Sequence, residues 1–366
     1  MNVAEKRPGD AMNKVVRSTA QSDRSAQRTD STIVSMKLYQ AGIKGCIDRF
    51  TLHERLGHLK KYGNHCMSFS GLQPGMHYYD IPDVGYIAYK NQWGISAVLA
   101  DPVCKGTDRE LLIREFLNTG ENIEFVQISE EVADLLHEKF GYYCTQFGIE
   151  PVIDLQSWDI KGKKKQVLRT SINHAARQAI VFSEKEDDIG QMQLTSEWLR
   201  TRKVKDREIS FLIRPMRMDF EEGVRKFYAS LDGKLIGFIF FDPLYEDGNL
   251  VGYTPNISRF NPVFRQGIFY SLMVYAIERF KQEGVTFLHL GLCPLAVKGG
   301  DKSCESRAVK KLIRFLYEYG NNIFSFKGLY FTKSRFCGTE HKTFCAHRSH
   351  VPLRSIITLF KLSHIM

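Results

Sequence analysis

Three short segments in the second half of the chain carry the side chains best suited to group-transfer chemistry. Arg259 and Lys333 follow predicted strand ends, where a guanidinium and an ammonium can hold a phosphate or a developing oxyanion. The alternative for both cations is an ordinary surface salt bridge. Asn256 can orient an acceptor group but cannot act as a base at neutral pH. The segments are residues 256–259 (Asn-Ile-Ser-Arg), 290–296 (Leu-Gly-Leu-Cys-Pro-Leu-Ala) and 325–336 (Ser-Phe-Lys-Gly-Leu-Tyr-Phe-Thr-Lys-Ser-Arg-Phe).

A reaction that removes a proton from its acceptor needs a base, and the same half of the chain offers His289, Glu305 and Glu318. His289 lies in the apolar segment 287–290, so a hydrogen-bonded structural role is the more natural expectation. An activated ester can also react by a substrate-assisted route that uses no protein base. The sequence therefore leaves the base open.

A basic segment separates the two halves of the chain. Residues 161–177 contain six basic side chains in 17 positions, namely Lys161, Lys163, Lys164, Lys165, Arg169 and Arg177. Such a run is commonly a solvated face. The other interpretation is a groove for nucleic-acid phosphates, whose binding would fall steeply with salt concentration.

The composition is that of a globular protein with a cationic surplus. Hydrophobic residues are 43% and charged residues 25% of 366, which excludes a mainly disordered, collagen-like or coiled-coil chain. Lys and Arg total 51 against 41 Asp and Glu, so the net charge of +10 favours partners that carry phosphates. The sequence has no secretory signal and no apolar run of roughly 18 residues, so we predict a cytosolic protein without membrane spans.

The eight cysteines have no CxxC pair, and in a reducing compartment we expect no disulfides. Cys337, His341, Cys345 and His347 lie close together and could in principle bind zinc. Their spacing lacks the usual CxxC knuckle, so we predict no metal.

The apolar pattern divides the chain into three parts. Residues 1–33 nearly lack large apolar side chains and are predicted to be a disordered tail. Residues 34–180 are predicted to form an α/β layer domain. Its strands are predicted at 86–89, 95–99, 123–126 and 150–155, alternating with helices at 108–118 and 130–140.

Residues 181–366 are predicted to form a second domain of similar build. Asp232-Gly233 predicts a hairpin, because this pair suits the two positive φ angles of a type I′ turn. The predicted elements are a helix at 189–202, strands at 227–231, 234–241 and 250–254, a helix at 267–282 and a strand at 286–290. A meander that leads into a helix and a central strand resembles a GNAT-type acyltransferase domain. We therefore predict an α/β (α+β) fold with two tandem GNAT-like domains, whose mixed central sheets are flanked by helices.

Taken in order, the segments resemble the C-terminal catalytic domain of the phosphatidylglycerol lysyltransferases and alanyltransferases. That family typically has an Asp-Leu-Met-Arg-like strand end, an LGMAPL-like turn and an F-x-GLR-x-(F/Y)-K-x-K-(F/Y) segment, which the three segments above approximate. Residues 101–103, 150–155 and 161–173 look like its DP, E-x-VVDL and GKK-x(n)-LR-x(n)-N elements. Ordered agreement at all of these places over about 260 positions is more specific than any one motif.

The departures from this family concern substrate choice. Asn256 stands in place of an acid, Tyr330 in place of Arg, and Arg335 in place of the second Lys. The large flippase portion of many members has no counterpart in these 366 residues.

The resemblance implies an aminoacyltransferase that moves an aminoacyl group from aminoacyl-tRNA to a phospholipid such as phosphatidylglycerol. No cofactor is implied beyond that co-substrate. The implied partners are aminoacyl-tRNA and an anionic membrane surface, and the implied location is the cytoplasm or the inner face of the membrane. The implied catalytic residues are Arg259, Lys333 and Asn256, with Gly291, Pro294, Lys327, Gly328 and Arg335 binding substrate and Lys163, Lys164, Lys165 and Arg169 binding tRNA.

Other functions stay open at this point. One is a tRNA-dependent, amide-forming transferase that acts on a peptide or small molecule; another is a degenerate GNAT pair that binds RNA or anionic membrane, which Asn256 and Tyr330 favour. Coenzyme A is disfavoured, because residues 265–269 (Arg-Gln-Gly-Ile-Phe) hold one glycine where the pyrophosphate loop normally has two. Residues 353–366 form either an interfacial membrane helix or a core-packing one.

Overall fold

The computed structural model describes residues 45–364, except 121, 185–187, 202–209, 218–220, 265–266, 300–303 and 321–324. The predicted tail at residues 1–33, and residues 265–266 of the segment compared with a pyrophosphate loop, lie outside the described residues.

A single mixed β-sheet runs through the described part of the chain. Its order is β1-β2-β3-β4-β6-β14-β7-β12-β11-β10-β9-β8, with β5 paired to β3 and β13 paired to β7. The strands are β1 (Cys46–Ile47), β2 (His77–Ile81), β3 (Gly85–Gln92), β4 (Ile95–Leu99), β5 (Val103–Cys104), β6 (Ile123–Ile128), β7 (Tyr143–Asp154), β8 (Val181–Ser183), β9 (Arg225–Leu231), β10 (Lys234–Glu246), β11 (Asn249–Phe260), β12 (Phe287–His289), β13 (Cys293–Pro294) and β14 (Thr339–His347).

Helices cover the sheet and connect its strands. No described helix combines the length and the hydropathy that a membrane span requires. The described helices are α1 (Leu52–Tyr62), α2 (Arg109–Leu117), α3 (Glu130–Phe140), α4 (Gln166–Arg177), α5 (Asp188–Leu199), α6 (Gly267–Gln282), α7 (Arg307–Tyr319), α8 (Phe326–Ser334) and α9 (Leu353–Leu362).

Both halves of the chain use the same supersecondary unit. In the first half β3 and β4 pair antiparallel, and α2 then leads to β6, which is parallel to β4. In the second half β10 and β11 pair antiparallel, and α6 leads to β12, which is parallel to β11. The predicted α/β fold with a mixed sheet flanked by helices is confirmed.

Local sequence signals fix several of these elements. Asp232 and Gly233 have φ angles of 50° and 75°, so the predicted hairpin between β9 and β10 is confirmed. Helix α3 begins where the Ser129 hydroxyl accepts a hydrogen bond from the Val132 N–H at 3.3 Å. It ends at Gly141, whose φ of 70° suits a residue without a Cβ.

The last strand of the chain joins the two halves. β14 lies between β6 and β7, and Cys345 pairs with Val126 on one side and Thr145 on the other. β7 continues the sheet on its other edge, where Ile153 pairs with Leu288 of β12. The predicted domain boundary between residues 180 and 181 stays a prediction, but residues from both sides of it build the centre of the sheet.

Candidate active site

A large, mostly apolar cavity lies where the central strands meet the last three helices. Its volume is about 940 Å³, at the upper end of the range for small-molecule sites. Strands β6, β7, β11 and β14 contribute residues to it from the sheet. Helices α7 and α9 contribute apolar side chains, including Leu312, Ile313, Leu316, Ile356, Leu359 and Phe360. The cavity lining therefore combines many apolar side chains with a smaller number of polar and charged ones.

Half of the predicted site residues meet at this cavity. Those among its lining residues are Asn256, Arg259, Gly291, Pro294, Gly328 and Lys333. Those outside its described lining are Lys327, Arg335, Lys163, Lys164, Lys165 and Arg169.

Lys333 lies in the last turn of α8 and points toward the turn that follows β12. Its Nζ donates a hydrogen bond to the Leu292 carbonyl at 2.8 Å. Burial lowers the pKa of Lys333, while the Cys293 and Cys66 thiols and the Glu150 carboxylate oppose that shift. Gly291 has a φ of 72°, and a Cβ there would lie 3.4 Å from Lys333 Nζ. A glycine at this position leaves room for the ammonium group.

Arg259 is a buried cation on β11, exposed by only 5%. Its guanidinium stacks on the Trp198 ring, with Cζ 3.9 Å from the ring centroid. Its Nη1 donates to the Ser258 carbonyl at 3.0 Å. Stacking and burial hold the planar group at the cavity wall, where it can present its donors to an anionic ligand.

Asn256 is anchored by a polar network that the sequence analysis missed. Its Nδ2 donates to Ser70 Oγ and to Asp242 Oδ2, both at 2.6 Å. Asp242 is fully buried and accepts hydrogen bonds from the Arg214 guanidinium at 2.7 to 3.1 Å. Arg214 also pairs with Glu221 at 2.7 Å. The Asp242 carboxylate thus contacts the Asn256 amide directly and fixes its orientation.

The three candidate bases lie outside the described cavity lining. Glu305 forms a buried ion pair with Lys310 at 2.5 Å. Glu318 pairs at the surface with Lys327 at 2.6 Å. His289 lies on β12, and burial lowers its pKa from the ordinary 6.5 to about 4, so the ring is neutral at neutral pH. A protein base stays unassigned.

His289 is expected to make the fold sensitive to mild acid. The unfolded chain takes up the imidazole proton near pH 6.5, whereas the folded chain does so only near pH 4. The titration of His289 therefore costs little stability above about pH 6.5. It lowers the free energy of unfolding by about 3 kcal/mol between pH 7 and pH 4. The test is urea unfolding of wild type and His289→Gln across this pH range. As the pH falls, the wild type should lose about 3 kcal/mol of stability relative to the variant. Parallel pH profiles would contradict a buried neutral imidazole.

The basic segment divides into exposed and engaged side chains. Lys165 Nζ donates to the Asp159 carbonyl at 2.6 Å and lies 4.8 Å from the Trp158 ring centroid. Arg169 Nη1 donates to the carbonyls of Ile160 and Gly162 at 2.7 and 2.8 Å. Lys163 and Lys164 are exposed and directed to solvent. The predicted tRNA contacts of Lys165 and Arg169 would require breaking these local hydrogen bonds.

The remaining predicted residues have local partners at the surface. Lys327 pairs with Glu318, and the Arg335 guanidinium stacks 3.7 Å from the centroid of the Phe331 ring. His341 and His347 are six residues apart on the extended strand β14, which separates them by about 20 Å. The four side chains weighed as a zinc site therefore do not converge on one point.

The fold recurs in solved structures of related proteins. The structure of L-PGS from Bacillus licheniformis superposes with a TM-score of 0.71 at 22% identity, covering 86% of this chain and 96% of that chain. The C-terminal DUF2156 domain of a protein from Agrobacterium fabrum superposes with a TM-score of 0.68 at 20% identity, covering 81% and 91%. The chain shares its mixed α/β architecture with both.

The sequence comparisons identify the family. The family model described as phosphatidylglycerol lysyltransferase, C-terminal, matches residues 57–347, and the chain belongs to this family. It is 25% identical over 279 residues to a phosphatidylglycerol lysyltransferase of Bacillus subtilis, covering 74% of this chain and 31% of that protein. A phosphatidylglycerol lysyltransferase of Staphylococcus haemolyticus is 23% identical over 277 residues, with 72% and 31% covered. The chain spans about a third of the length of these relatives.

Proposed function

We propose that this protein transfers an aminoacyl group from aminoacyl-tRNA to a hydroxyl of an anionic phospholipid such as phosphatidylglycerol. The observation that carries the proposal is the placement of two cations, the buried Arg259 and the half-buried Lys333, on the wall of one largely apolar cavity. Membership of the phosphatidylglycerol lysyltransferase family supports the same chemistry.

The polar part of the cavity suits the reacting ester. The lipid hydroxyl oxygen attacks the ester carbonyl carbon and forms a new C–O bond, and negative charge develops on the carbonyl oxygen. Lys333 stabilises that oxyanion, because an ammonium in an enclosed site interacts strongly with developing charge. The bond to the terminal ribose oxygen then breaks, and the hydroxyl proton ends on that oxygen. Arg259 holds a phosphate of the lipid head or of the tRNA 3′ end.

The apolar part suits a lipid acceptor. Side chains of α7 and α9 line it, and an acyl chain or glycerol backbone placed there would bury apolar surface. A peptide acceptor would instead leave backbone N–H and C=O groups without partners in this region. The acceptor hydroxyl would then reach Asn256, whose amide is fixed by Asp242.

The test is a transfer assay with purified protein, a radiolabelled mixed aminoacyl-tRNA pool and vesicles that contain phosphatidylglycerol. We expect label in an RNase-resistant, lipid-soluble product separable by thin-layer chromatography. Label in a water-soluble amide instead would favour the peptide or small-molecule acceptor. Label that stays on tRNA, with RNA still bound, would reject the transferase and favour a binding role.

Helix α9 is expected to contact the membrane. Thr358 and Leu362 are buried against the protein, whereas Leu353 and Ile357 are exposed by 60% and 47%. The exposed pair lies on the same helix as the cations Arg354 and Lys361, an arrangement that suits an anionic bilayer surface.

The membrane prediction is tested with the double variant Leu353→Asn/Ile357→Asn. Its binding to phosphatidylglycerol vesicles in a sedimentation assay is expected to fall about tenfold, because two apolar side chains no longer insert. The matched control is Val181→Asn, an exposed apolar residue on edge strand β8. Equal vesicle binding by the double variant and the wild type would contradict the assignment of this face.

A further inference from the structure

Gln127 occupies an unusual backbone position in the central sheet. The residue is fully buried in β6, yet its φ is 56°, a left-handed conformation that non-glycine residues rarely adopt. The pairing of β6 with β14 shifts register here: Ile128 pairs with Phe344 and Val126 pairs with Cys345, and Gln127 bulges between them. Strain of this kind concentrates at ligand sites, and Gln127 lines the cavity.

The Gln127 amide is held in one orientation. Its Nε2 donates to Glu150 Oε1 at 2.8 Å and lies 3.6 Å from Cys66 Sγ. A carboxylate accepts hydrogen bonds, so the nitrogen of the amide must face Glu150 and the oxygen must face away from it. Glu150 therefore acts as a positioning residue for the Gln127 carbonyl oxygen.

The Gln127 Oε1 atom is buried and accepts no hydrogen bond from any described residue. A buried acceptor without a donor is costly, and it is seldom left so unless a ligand or water satisfies it. Donation from Nε2 to a carboxylate polarises the amide and strengthens Oε1 as an acceptor. Gln127, a residue of the cavity lining, thus carries a strong and oriented acceptor that awaits a donor.

We propose that Gln127 Oε1 binds the α-ammonium group of the aminoacyl ester, which makes Gln127 a substrate-recognition residue. This inference rests on the proposed function, because that function supplies an aminoacyl donor. An ammonium group donates through N–H bonds and carries a positive charge, which the polarised amide oxygen favours. Recognition of the α-amino group is independent of the amino-acid side chain.

A metal ion is the competing occupant of this region. One ligand atom each from His65, Cys66 and Glu150 lie within 4.8 Å of one another. However, His65 Nδ1 accepts the Met67 N–H at 3.1 Å, so the ring proton is on Nε2 and that nitrogen has no lone pair to offer. The hydrogen-bond pattern therefore favours a donor group over a metal.

The experiment measures binding of hydrolysis-resistant donor analogues by calorimetry, without lipid. The probes are 3′-(L-lysylamido)- and 3′-(L-alanylamido)-3′-deoxyadenosine, each with a free or an acetylated α-amino group. Wild type is expected to bind the free-amine forms about tenfold to a hundredfold more tightly, since a hydrogen bond to a charged group is lost on acetylation. Gln127→Met is expected to remove this preference.

Two further variants keep the test decisive. Gln127→Gly also removes the amide, and glycine accepts the positive φ, so this variant should fold even if Gln127→Met does not. Gln146→Met removes a different buried amide, outside the cavity lining, and should retain the preference. A preference retained in both Gln127 variants, or absent from wild type, would overturn the proposal. So would one equivalent of bound Zn²⁺ that is lost in Cys66→Ser.

The binding test and the transfer assay together distinguish failure of this inference from failure of the proposed function. A Gln127-dependent preference without lipid product would reject phospholipid as acceptor and keep the inference about the donor. Lipid product together with a preference for the free-amine analogues that persists in both Gln127 variants would reject only the inference about Gln127.

Discussion

Lys333→Ala is expected to lower kcat/KM for aminoacyl transfer by about 10²- to 10³-fold, the usual cost of removing one group that stabilises an oxyanion. The Nζ atom contacts the Leu292 carbonyl and faces the cavity beside Gly291. Lys333 is half-buried, so water screens its charge less than it would at the surface and does not fully replace the lost ammonium group in the variant. Initial rates in the lipid-transfer assay provide the measurement.

The control for this prediction is Lys60→Ala. Lys60 pairs with Glu222 at the surface with side chains 42% and 47% exposed, so its loss should change the rate less than twofold and the stability by less than about 0.5 kcal/mol. Equal rates for Lys333→Ala and wild type would remove Lys333 from the site. Loss of vesicle-free tRNA binding in Lys333→Ala would instead assign the lysine to donor binding.

Residue type and motif order predicted the parts of the site that are local in sequence. Asn256 and Arg259 lie on one strand, Gly291 lies in the turn after β12, and Lys333 lies in the last turn of α8. The motifs mark all four positions without knowledge of tertiary contacts. The expectation that Arg259 and Lys333 follow strand ends was wrong, because β11 continues past Arg259 and the segment around Lys333 is helical. The Asp232-Gly233 turn is of the same kind, since its φ angles are dictated by two adjacent residues.

The features that could not be predicted from the sequence depend on contacts between residues far apart in the chain. Asp242 and Arg214 are 28 residues apart, and neither one signals the other in the sequence. β14 pairs with strands about 200 positions earlier, and hydrophobic periodicity carries no record of such a register. Gln127 stands out only through a positive φ, which an ordinary strand-like segment conceals.

The basic segment shows why charge density alone cannot identify a contact surface. Lys165 and Arg169 satisfy the carbonyls of their own loop, because a helix start preceded by an irregular turn leaves acceptors that a nearby cation can reach. The same charges look identical in the sequence whether they face a nucleic acid or the chain itself.

The polar network behind Asn256 is expected to produce the largest stability effect. Arg214→Met leaves Asp242 and Glu221 without their cation, and both carboxylates are largely enclosed, with side chains 0% and 8% exposed. Removing one partner of a buried ion pair costs about 3–5 kcal/mol, because the other charge stays buried and uncompensated. Urea unfolding at pH 8 measures the loss, and the surface variant Lys60→Ala is the matched control.

The pH dependence of this variant identifies the cause. Burial already raises the pKa of Glu221, and Arg214 opposes that shift, so its removal raises the pKa further. A carboxyl whose folded pKa exceeds its unfolded value takes up a proton on folding, so the stability of the variant rises as the pH falls from 8 toward 5. The gap to wild type should therefore narrow over that range. A gap that is constant with pH would mean that lost packing of the Arg214 side chain, rather than uncompensated charge, carries the destabilisation, and that Asp242 orients Asn256 without needing its cation.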